Sequence, residues 1–247
     1  MPLYNEQEGI EEFIKEIVSS FVGVSISFFI VDDCSTDRSF EILTKLSDVD
    51  KKFPIDLNTR VYVKRNETNL GHGPTFVRAM EYALRNKSDL LITVDGDGQF
   101  YGEHIFAAFK HFSLGDFDVL EGVRVERSDP FYRKIVSTLT QIFVFLKCGK
   151  FPKDANTPLR IYTDATARDL LSGLPEKVLT PNLFFSTRAR IMGMRIVEYP
   201  LVHIERRGSS PIGTMWTKNR FNLPSARFIN FCFRAFIGLF SRIHLPK

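Results

Sequence analysis

The first part of the chain alternates between apolar residues at helical spacing and short continuous apolar runs. Residues 10–21 carry five apolar side chains on one helical face, with acidic residues near the start, which predicts an amphipathic helix. Residues 25–33 form a short apolar run that ends in two aspartates, which predicts a strand. The polar residues 35–37 are candidate caps for a second helix that extends to about Leu46.

The same unit of strand, loop and helix repeats further along the chain. Such alternation predicts an α/β fold with a mostly parallel sheet and helices on both of its faces. The predicted elements are a strand at 60–64, a loop at 66–73, a helix at 74–85, a strand at 89–94 and a helix at 103–112.

No low-complexity linker or internal repeat interrupts this pattern before about residue 208. We therefore predict one catalytic domain over residues 1–208. Residues 209–247 are predicted to form an acceptor loop followed by an amphipathic helical tail.

Polar residues collect where the predicted strands end. Ligands of parallel α/β sheets bind beyond the carboxyl ends of the strands, so we expect these residues to lie close together. They are Asp32, Asp33, Asn69, Gly71, Asp95 and Asp97.

Composition and charge narrow the class of protein only slightly. A chain of 247 residues with 44% hydrophobic residues can bury a large core. Its net charge of +4 does not indicate nucleic-acid binding, although it would favour anionic phosphates or lipid headgroups. The three scattered cysteines fit a reducing compartment and argue against a thiolate zinc site. The first residues resemble a loop that enters a helix instead of a signal peptide, so we do not expect secretion. No apolar run is long enough to span a membrane, so we do not expect a spanning helix.

The segment DGDGQ (residues 95–99) places two carboxylates one residue apart at the end of a predicted strand. A hard divalent cation prefers oxygen ligands and would relieve the repulsion between the two acids. An EF-hand loop that starts at Asp95 is excluded, because its sixth position is Phe100 and its twelfth is Phe106. A solvated turn remains the structural alternative, because Asp-Gly pairs are common in turns.

The ordered motifs of the chain resemble those of the family-2 glycosyltransferases with a GT-A fold. Within that family they are similar to the dolichol-phosphate mannose synthase-like enzymes, which glycosylate polyprenyl phosphates. Each motif alone is weak evidence, but their order along most of the chain is specific. The motifs are PLYNE (2–6), VDDCSTD (31–37), NLGHG (69–73), DGDGQ (95–99), DANTPLRIY (154–162), RARIMGMRIVEYPL (188–201) and ERRGSS (205–210).

The resemblance implies a donor site for a nucleotide-diphosphate sugar. Pro2, Tyr4, Glu6 and Asp33 would line the pocket for the base and ribose, with Asp33 accepting a hydrogen bond from a base N–H group.

The resemblance also implies that Mg²⁺ or Mn²⁺ is held against the diphosphate. Asp95, Asp97 and Gln99 would be its ligands, and Gly96 would allow the backbone to approach closely.

Three arginines and one further acid complete the implied site. Arg124, together with Arg206 or Arg207, would contact phosphates, and Asp154 stands where related enzymes place an acceptor-side carboxylate. Asp97, Asp154 and Arg206 are the predicted catalytic residues. The resemblance implies a direct displacement that inverts the anomeric carbon, in which positive charge stabilises the departing diphosphate.

Three departures from the family pattern bear on activity. Family members usually have an apolar strand before PxYNE, whereas here Met1 directly precedes Pro2, so the first strand is predicted to be missing; either the true start lies upstream or activity is compromised. His72 replaces a common lysine and is expected to be a loop residue. Pro211 stands where family members often carry another lysine.

Two segments are predicted to contact a membrane surface. Residues 131–147 are apolar around most of a helix with basic residues near the ends, and in the resembling enzymes this region approaches lipid. Residues 221–243 are rich in phenylalanine and carry Arg227, Arg234 and Arg242, which suits an anionic bilayer surface or a protein partner. Ordinary packing is the alternative for both. Trp216 fits an interface anchor or simple packing equally well.

The leading hypothesis is a metal-dependent transferase that moves a hexose from a UDP- or GDP-sugar to a polyprenyl phosphate. It would act as a cytoplasmic protein, peripheral on the cytoplasmic face of a membrane. A membrane-protein partner and a homo-oligomer both remain open. One alternative uses a saccharide hydroxyl as acceptor, with Asp154 as general base. Another is a non-catalytic nucleotide-sugar binding protein or membrane adaptor.

Overall fold

The computed structural model describes residues 1–47, 59–86, 88–125, 131–174, 178–208 and 230. Strands and helices alternate along most of this part of the chain, as the sequence predicts. The strands are β1 (Pro2–Leu3), β2 (Ile26–Asp32), β3 (Thr59–Arg65), β4 (Leu90–Thr93), β5 (Val119–Val125), β6 (Arg160–Thr163) and β7 (Ile196–Val202). The helices are α1 (Ile10–Ser20), α2 (Ser39–Ser47), α3 (His72–Leu84), α4 (Gly102–Leu114), α5 (Phe131–Cys148), α6 (Asp164–Ser172) and α7 (Pro181–Ile191).

The first sheet is parallel and has the order β1-β2-β3. Strand β1 has only two residues, but the backbone N–H groups of Val31 and Asp33 donate to the carbonyls of Met1 and Leu3 at 3.0 and 2.8 Å. The expectation that the first strand is missing is therefore corrected in part, because Pro2 and Leu3 still form a ladder with β2.

The second sheet has the order β4-β6-β5-β7 and is mixed. Strand β6 is antiparallel to both β4 and β5, whereas β5 and β7 are parallel. Because β6 runs in the opposite direction, its first residue, Arg160, pairs with Thr93 of β4 and with Glu121 of β5. Gly96 N donates to Pro2 O at 3.1 Å and joins the two sheets at the carboxyl end of β4.

Helices cover both faces of the sheets, as predicted. One apolar cluster contains the predicted inner face of α1 together with residues of α4, whereas a second contains residues of α3, α5, α6 and α7. All five apolar residues on the predicted face of α1 are buried: Ile10, Phe13, Ile14, Ile17 and Val18. The α/β class with parallel strand pairs and flanking helices is thus confirmed.

Two predicted features differ from the structure or lie outside it. Helix α3 begins at His72, two residues before its predicted start, because Gly71 adopts a φ of 84° and reverses the chain there. The predicted tail and acceptor loop, including Pro211 and Trp216, lie outside the described residues except for residue 230. Among the helices within the described ranges, none has the length and apolar character needed to cross a bilayer.

Candidate active site

The predicted acid pair lies in the loop that follows β4. Two glycines let neighbouring segments approach this loop closely. A Cβ atom on Gly96 would lie 3.0 Å from Leu3 Cδ1 and 3.1 Å from Pro2 O. Gly98 adopts a φ of +68°, and a Cβ there would lie 2.6 Å from the Arg207 side chain. The DGDGQ loop is therefore enclosed by β1 on one side and by the segment after β7 on the other.

The two acids of this loop differ in their electrostatic surroundings. His72, at the start of α3, places Nε2 at 2.9 Å from Asp95 Oδ1. Burial works to raise the pKa of Asp95, but the charge and hydrogen bond of His72, together with the charges of the chain's amino terminus and Arg124, lower it overall. Burial and repulsion from Asp95 instead raise the pKa of Asp97 to about 7. Full ionisation of both acids is therefore unfavourable in the protein alone, and a bound cation would relieve their repulsion.

The donor set has the chemistry of a hard-cation site. Asp95 and Asp97 supply carboxylate oxygens, and the Gln99 side-chain nitrogen donates to Ile204 O at 3.3 Å, so the amide oxygen is the atom of Gln99 suited to coordination. Within the described ranges, no three His, Cys, Asp or Glu side chains are placed to hold an ion. A metal bound here would need substrate phosphate oxygens or water to complete its coordination, which is usual for Mg²⁺ beside a diphosphate.

The loops after β1 and β2 are locked together by side-chain hydrogen bonds. Asn5 adopts a left-handed φ of 54°, which asparagine tolerates. Its backbone N–H donates to Ser35 Oγ at 3.0 Å, and its Oδ1 accepts from Thr36 N at 2.8 Å. Glu6 N donates to Ser39 Oγ at 2.7 Å. Through these contacts the PLYNE and VDDCSTD motifs complete each other's loops.

Glu6 forms a paired hydrogen bond with Arg206. Arg206 Nε lies 2.9 Å from Glu6 Oε2, and Arg206 Nη2 lies 2.6 Å from Oε1. Arg206 also donates to the carbonyls of Tyr4 and Asn5 at 3.4 and 2.9 Å. Burial raises the pKa of Glu6 to about 8, although the bonds from Arg206 oppose this shift. The structure therefore brings the predicted base-pocket residues Tyr4 and Glu6 into contact with the predicted phosphate ligand Arg206.

Asp33 lies at the end of β2 and is buried beneath the loop before α3. Its carboxylate accepts hydrogen bonds from Asn66 Nδ2, Leu70 N and Gly71 N, each at 2.8 Å. These bonds hold the NLGHG segment in place. A base N–H group would share this carboxylate with three protein donors, so the predicted role of Asp33 in base binding stays a prediction.

Arg124 and Asp154 were predicted separately and are found in contact. Arg124 Nε lies 2.7 Å from Asp154 Oδ2, and Arg124 Nη2 lies 2.9 Å from Oδ1. Both side chains are largely buried, with 15% and 9% of their surface exposed. The charge of Arg124 also contributes to the lowered pKa of Asp95, so the pair lies near the acid loop.

Arg207 packs against α1. Its guanidinium pairs with Glu16, lies 5.3 Å from the Phe13 ring centroid and donates to Gly98 O at 3.0 Å. A phosphate would have to compete with Glu16 for this side chain.

Sequence reasoning missed several charged residues near the site. His72 was expected to be a loop residue, and only the folded chain brings it to Asp95. Glu121, Arg160 and Arg190 were not singled out, although a charged residue within an apolar strand is a signal that could have found the first two. Their carboxylate and guanidinium groups are buried against one another.

Curated relatives with similar sequences are named as transferases to undecaprenyl phosphate. Undecaprenyl-phosphate 4-deoxy-4-formamido-L-arabinose transferase of Edwardsiella ictaluri (strain 93-146) is 28% identical over 218 residues, which are 87% of this chain and 62% of that protein. The protein of the same name from Pectobacterium atrosepticum is 27% identical over 208 residues, or 83% of this chain and 59% of that protein. The chain thus spans about three fifths of the length of these relatives.

Solved structures of glycosyltransferases share the fold. One is glucosyl-3-phosphoglycerate synthase from Mycobacterium tuberculosis, in complex with Mn²⁺, UDP and glucosyl-3-phosphoglycerate. Its TM-score is 0.66 at 14% sequence identity, and the match covers 100% of this chain and 79% of the synthase chain. Another is the mannosyltransferase PcManGT from Pyrobaculum calidifontis, in complex with GDP-Man and Mn²⁺. Its TM-score is 0.60 at 16% sequence identity, and the match covers 99% of this chain and 64% of the mannosyltransferase chain. These likenesses establish a GT-A fold.

A family model matches most of the chain. The model described as "Glycosyl transferase family 2" matches residues 1–172, which include five of the seven motifs noted in the sequence. The chain therefore belongs to glycosyl transferase family 2.

Proposed function

We propose that this glycosyltransferase moves a sugar from a nucleotide-diphosphate donor to a polyprenyl phosphate, with inversion and with the help of a divalent cation. The observation that carries the proposal is the acid pair Asp95 and Asp97 in the loop after β4, which β1 and the segment after β7 enclose. Such a concentration of negative charge at a ligand-binding sheet edge suits a cation and a diphosphate.

Asp95 and Asp97 would hold Mg²⁺ or Mn²⁺, with the Gln99 amide oxygen as a further donor. When bound, the cation supplies positive charge that stabilises the departing diphosphate. The complexes of the fold neighbours with Mn²⁺ and UDP or GDP-Man support this reading of the site.

The donor nucleotide would lie along the loops after β1 and β2. Pro2 and Tyr4 supply backbone and ring surface there, Asp33 supplies an acceptor for a base N–H group, and Glu6 orients Arg206. Arg206 would then add positive charge beside the acid pair and the diphosphate. In the proposed reaction an acceptor oxygen forms a bond to the anomeric carbon while the bond from that carbon to the diphosphate oxygen breaks.

The contact between Arg124 and Asp154 favours a phosphate acceptor over a saccharide hydroxyl. A hydroxyl needs a general base, whereas the Asp154 carboxylate already accepts hydrogen bonds from two nitrogens of Arg124. A lipid phosphate is already anionic and needs little deprotonation. In this proposal Asp154 orients Arg124, which draws the acceptor phosphate toward the anomeric carbon. The names of the undecaprenyl-phosphate relatives support the same acceptor class.

A polyprenyl acceptor requires access to a membrane surface, and α5 offers a surface of that kind. Ile135, Leu139, Ile142 and Leu146 follow helical spacing and are 40–71% exposed. Phe143 and Val144 of the same helix are buried. Exposed lysines at 134 and 150 lie near its ends and suit anionic headgroups. We therefore place the enzyme peripherally on the cytoplasmic face of a membrane.

The experiment is a donor screen with the full chain. UDP- and GDP-sugars are incubated with a short polyprenyl phosphate or an oligosaccharide, each with Mn²⁺ and with EDTA. Metal-dependent formation of a glycosylated lipid phosphate is the expected result. Product from the oligosaccharide alone would replace the proposal with the saccharide alternative. Nucleotide-sugar binding without turnover in any arm would replace it with the non-catalytic alternative.

A further inference from the structure

A buried ionic network lies beneath the segment that carries Asp154. Arg160 Nη1 donates to Glu121 Oε1 at 2.6 Å, and Arg190 Nη2 donates to Glu121 Oε2 at 2.8 Å. The side chains of Arg160, Glu121 and Arg190 are 0%, 1% and 5% exposed. Arg190 Nη2 also lies 3.2 Å from Glu198 Oε1 on β7. Two carboxylates and two guanidiniums thus form one connected group, and the exposed Lys153 Nζ lies 3.8 Å from Glu198 Oε2 at its edge.

Both ends of this network bond to the backbone of residues 153–157. Arg160 Nη2 donates to Ala155 O at 2.9 Å, and Arg160 Nε donates to Thr157 O at 3.2 Å. At the other end, Glu198 Oε1 accepts from Lys153 N at 2.8 Å. The short segment is therefore held at three backbone positions by side chains from β6 and β7.

The held segment meets Arg124 from the other side. Arg124 binds the Asp154 carboxylate through two nitrogens and also donates to Asn156 O at 3.4 Å. Arg124 lies on β5, three residues after Glu121, so the network and the pair share one strand. A shift of Glu121 or of residues 153–157 would move the Arg124 guanidinium relative to Asp95.

Stability alone is a poor explanation for this arrangement. Removing charges from water is costly, and apolar residues of similar volume often serve equally well in a core. The network places its hydrogen bonds on a segment outside regular secondary structure, which neither a strand ladder nor a helix holds in place. We propose that Glu121, Arg160, Arg190 and Glu198 are positioning residues that hold Asp154 and Arg124 in the orientation needed to receive the acceptor phosphate. This inference rests on the proposed function for the identity of the acceptor.

The first test is Arg160→Lys in the full chain. Lysine keeps a positive charge beside Glu121, but one amino group cannot reproduce the fork that also binds Ala155 O and Thr157 O. We expect kcat for transfer to polyprenyl phosphate to fall about 10- to 100-fold, because small misplacements of reacting groups have effects of that size. Donor affinity should stay within about twofold, because the hydrogen bonds of Arg160 go to Glu121, Ala155 and Thr157 on the acceptor side of the proposed site. Arg195→Lys is the matched control, because Arg195 also binds a carboxylate through two nitrogens, that of Asp118, but at the surface.

A double-mutant cycle separates positioning from general stability. If Arg160 acts through the Asp154 and Arg124 pair, Arg160→Lys should have little further effect on kcat in an Asp154→Asn background. Losses that multiply in full would show an independent structural role and overturn the proposal. An unchanged kcat in Arg160→Lys would overturn it directly.

A second variant keeps the proposal testable if Arg160→Lys folds poorly, and hydrogen exchange keeps it testable if the protein shows no turnover. Glu198→Ala removes the acceptor of Lys153 N at a side chain that is 19% exposed, so water can replace the lost bond. We expect a lower kcat and faster hydrogen exchange in peptides covering residues 151–158. If the wild-type protein transfers no sugar, the proposed function fails, while the exchange measurement still decides the network. Unchanged exchange in both Arg160→Lys and Glu198→Ala would overturn it.

Discussion

Asp95 and Asp97 have identical side chains one residue apart, yet their pKa values shift in opposite directions. His72 binds Asp95 and lowers its pKa, whereas burial and the charge of Asp95 raise the pKa of Asp97 to about 7. The sequence predicts that the two acids lie together at a strand end. It does not predict their asymmetry, because His72 belongs to α3 and reaches Asp95 only after folding.

The raised pKa of Asp97 predicts how the metal-free protein responds to pH. Between its ordinary pKa of 3.8 and about 7, native Asp97 holds a proton that the unfolded chain has released. Stability contributed by this group is therefore lost as pH rises through that window. Glu6, with a pKa raised to about 8, acts in the same direction. We expect the Tm measured in EDTA to fall as pH rises from 5 to 8.

Asp97→Asn tests this account and the proposed metal site together. The variant should lose metal-dependent transfer, while its Tm in EDTA at pH 7 should equal or exceed that of the wild type and vary less between pH 5 and 7. Asp169→Asn on the exposed surface of α6 controls for loss of one carboxylate. A large drop in Tm for Asp97→Asn in EDTA would show that Asp97 is a structural residue.

Gly98 shows how one backbone conformation shapes the loop. Gly98→Ala would place a Cβ at a φ of +68° and 2.6 Å from the Arg207 side chain. Gly149 has nearly the same φ, +69°, but nothing lies within 4 Å of its Cβ position. We expect Gly149→Ala to lower the free energy of unfolding by about 1 kcal/mol through backbone strain alone, and Gly98→Ala to lower it by about 2–3 kcal/mol. Urea unfolding of both variants measures the difference, and equal losses would contradict it.

At the scale of elements, α5 combines two unlike faces. Phe143 and Val144 pack into the core beside α7, whereas the opposite stripe of apolar side chains is exposed. Hydrophobic spacing in the sequence predicts the helix, but it cannot tell which apolar residues meet α7 and which meet the surroundings. That division depends on where α7 lies.

Leu139→Asp tests the exposed stripe of α5. Leu139 is 45% exposed, so the change should preserve the fold while weakening association with phosphatidylglycerol vesicles about tenfold, because an apolar contact with the bilayer is replaced by a charge. Leu114→Asp is the control, since Leu114 is 88% exposed at the end of α4. Vesicle sedimentation measures both. Equal binding by the two variants would exclude α5 from the membrane contact.

Whole-molecule organisation decides how the segments of the site meet. In the DGDGQ loop, Gly96 N donates a hydrogen bond to Pro2 O of β1. From the segment after β7, Ile204 N and Arg207 N donate to the carbonyls of Gln99 and Asp97. Residues separated by more than a hundred positions thus share one edge of the joined sheets. Motif order in the sequence predicts that these segments cooperate, and the sheet topology explains how they do so.

The sequence pattern predicts that the tail at residues 209–247 acts separately from the catalytic domain. Deleting residues 221–247 should reduce association with anionic vesicles more than it reduces binding of a nucleotide donor, because phenylalanine and arginine suit a bilayer surface, whereas the proposed donor residues all precede position 208. Vesicle sedimentation and donor calorimetry on the same preparation measure the two effects. Unchanged vesicle binding would remove the tail from the membrane contact.

Much of the architecture could be predicted because it depends on local spacing. The buried face of α1, the strand before Asp95 and the helices on both sides of the sheets all follow from the periodicity of apolar residues. The antiparallel direction of β6 and the two-residue strand β1 could not be predicted in this way. Strand direction and pairing depend on partners that lie far away in the chain, and two residues carry no period.

The sequence alone predicted the acid pair and the sheet edge at which ligands would bind, and the resemblance of its ordered motifs to a known family predicted the family. Tertiary structure alone decided which charges face one another: His72 with Asp95, Glu6 with Arg206, Arg124 with Asp154, and Glu121 with two buried arginines. The physical reason is that spacing acts along one chain segment, whereas a charge responds to every group within a few ångströms, whatever its distance in sequence.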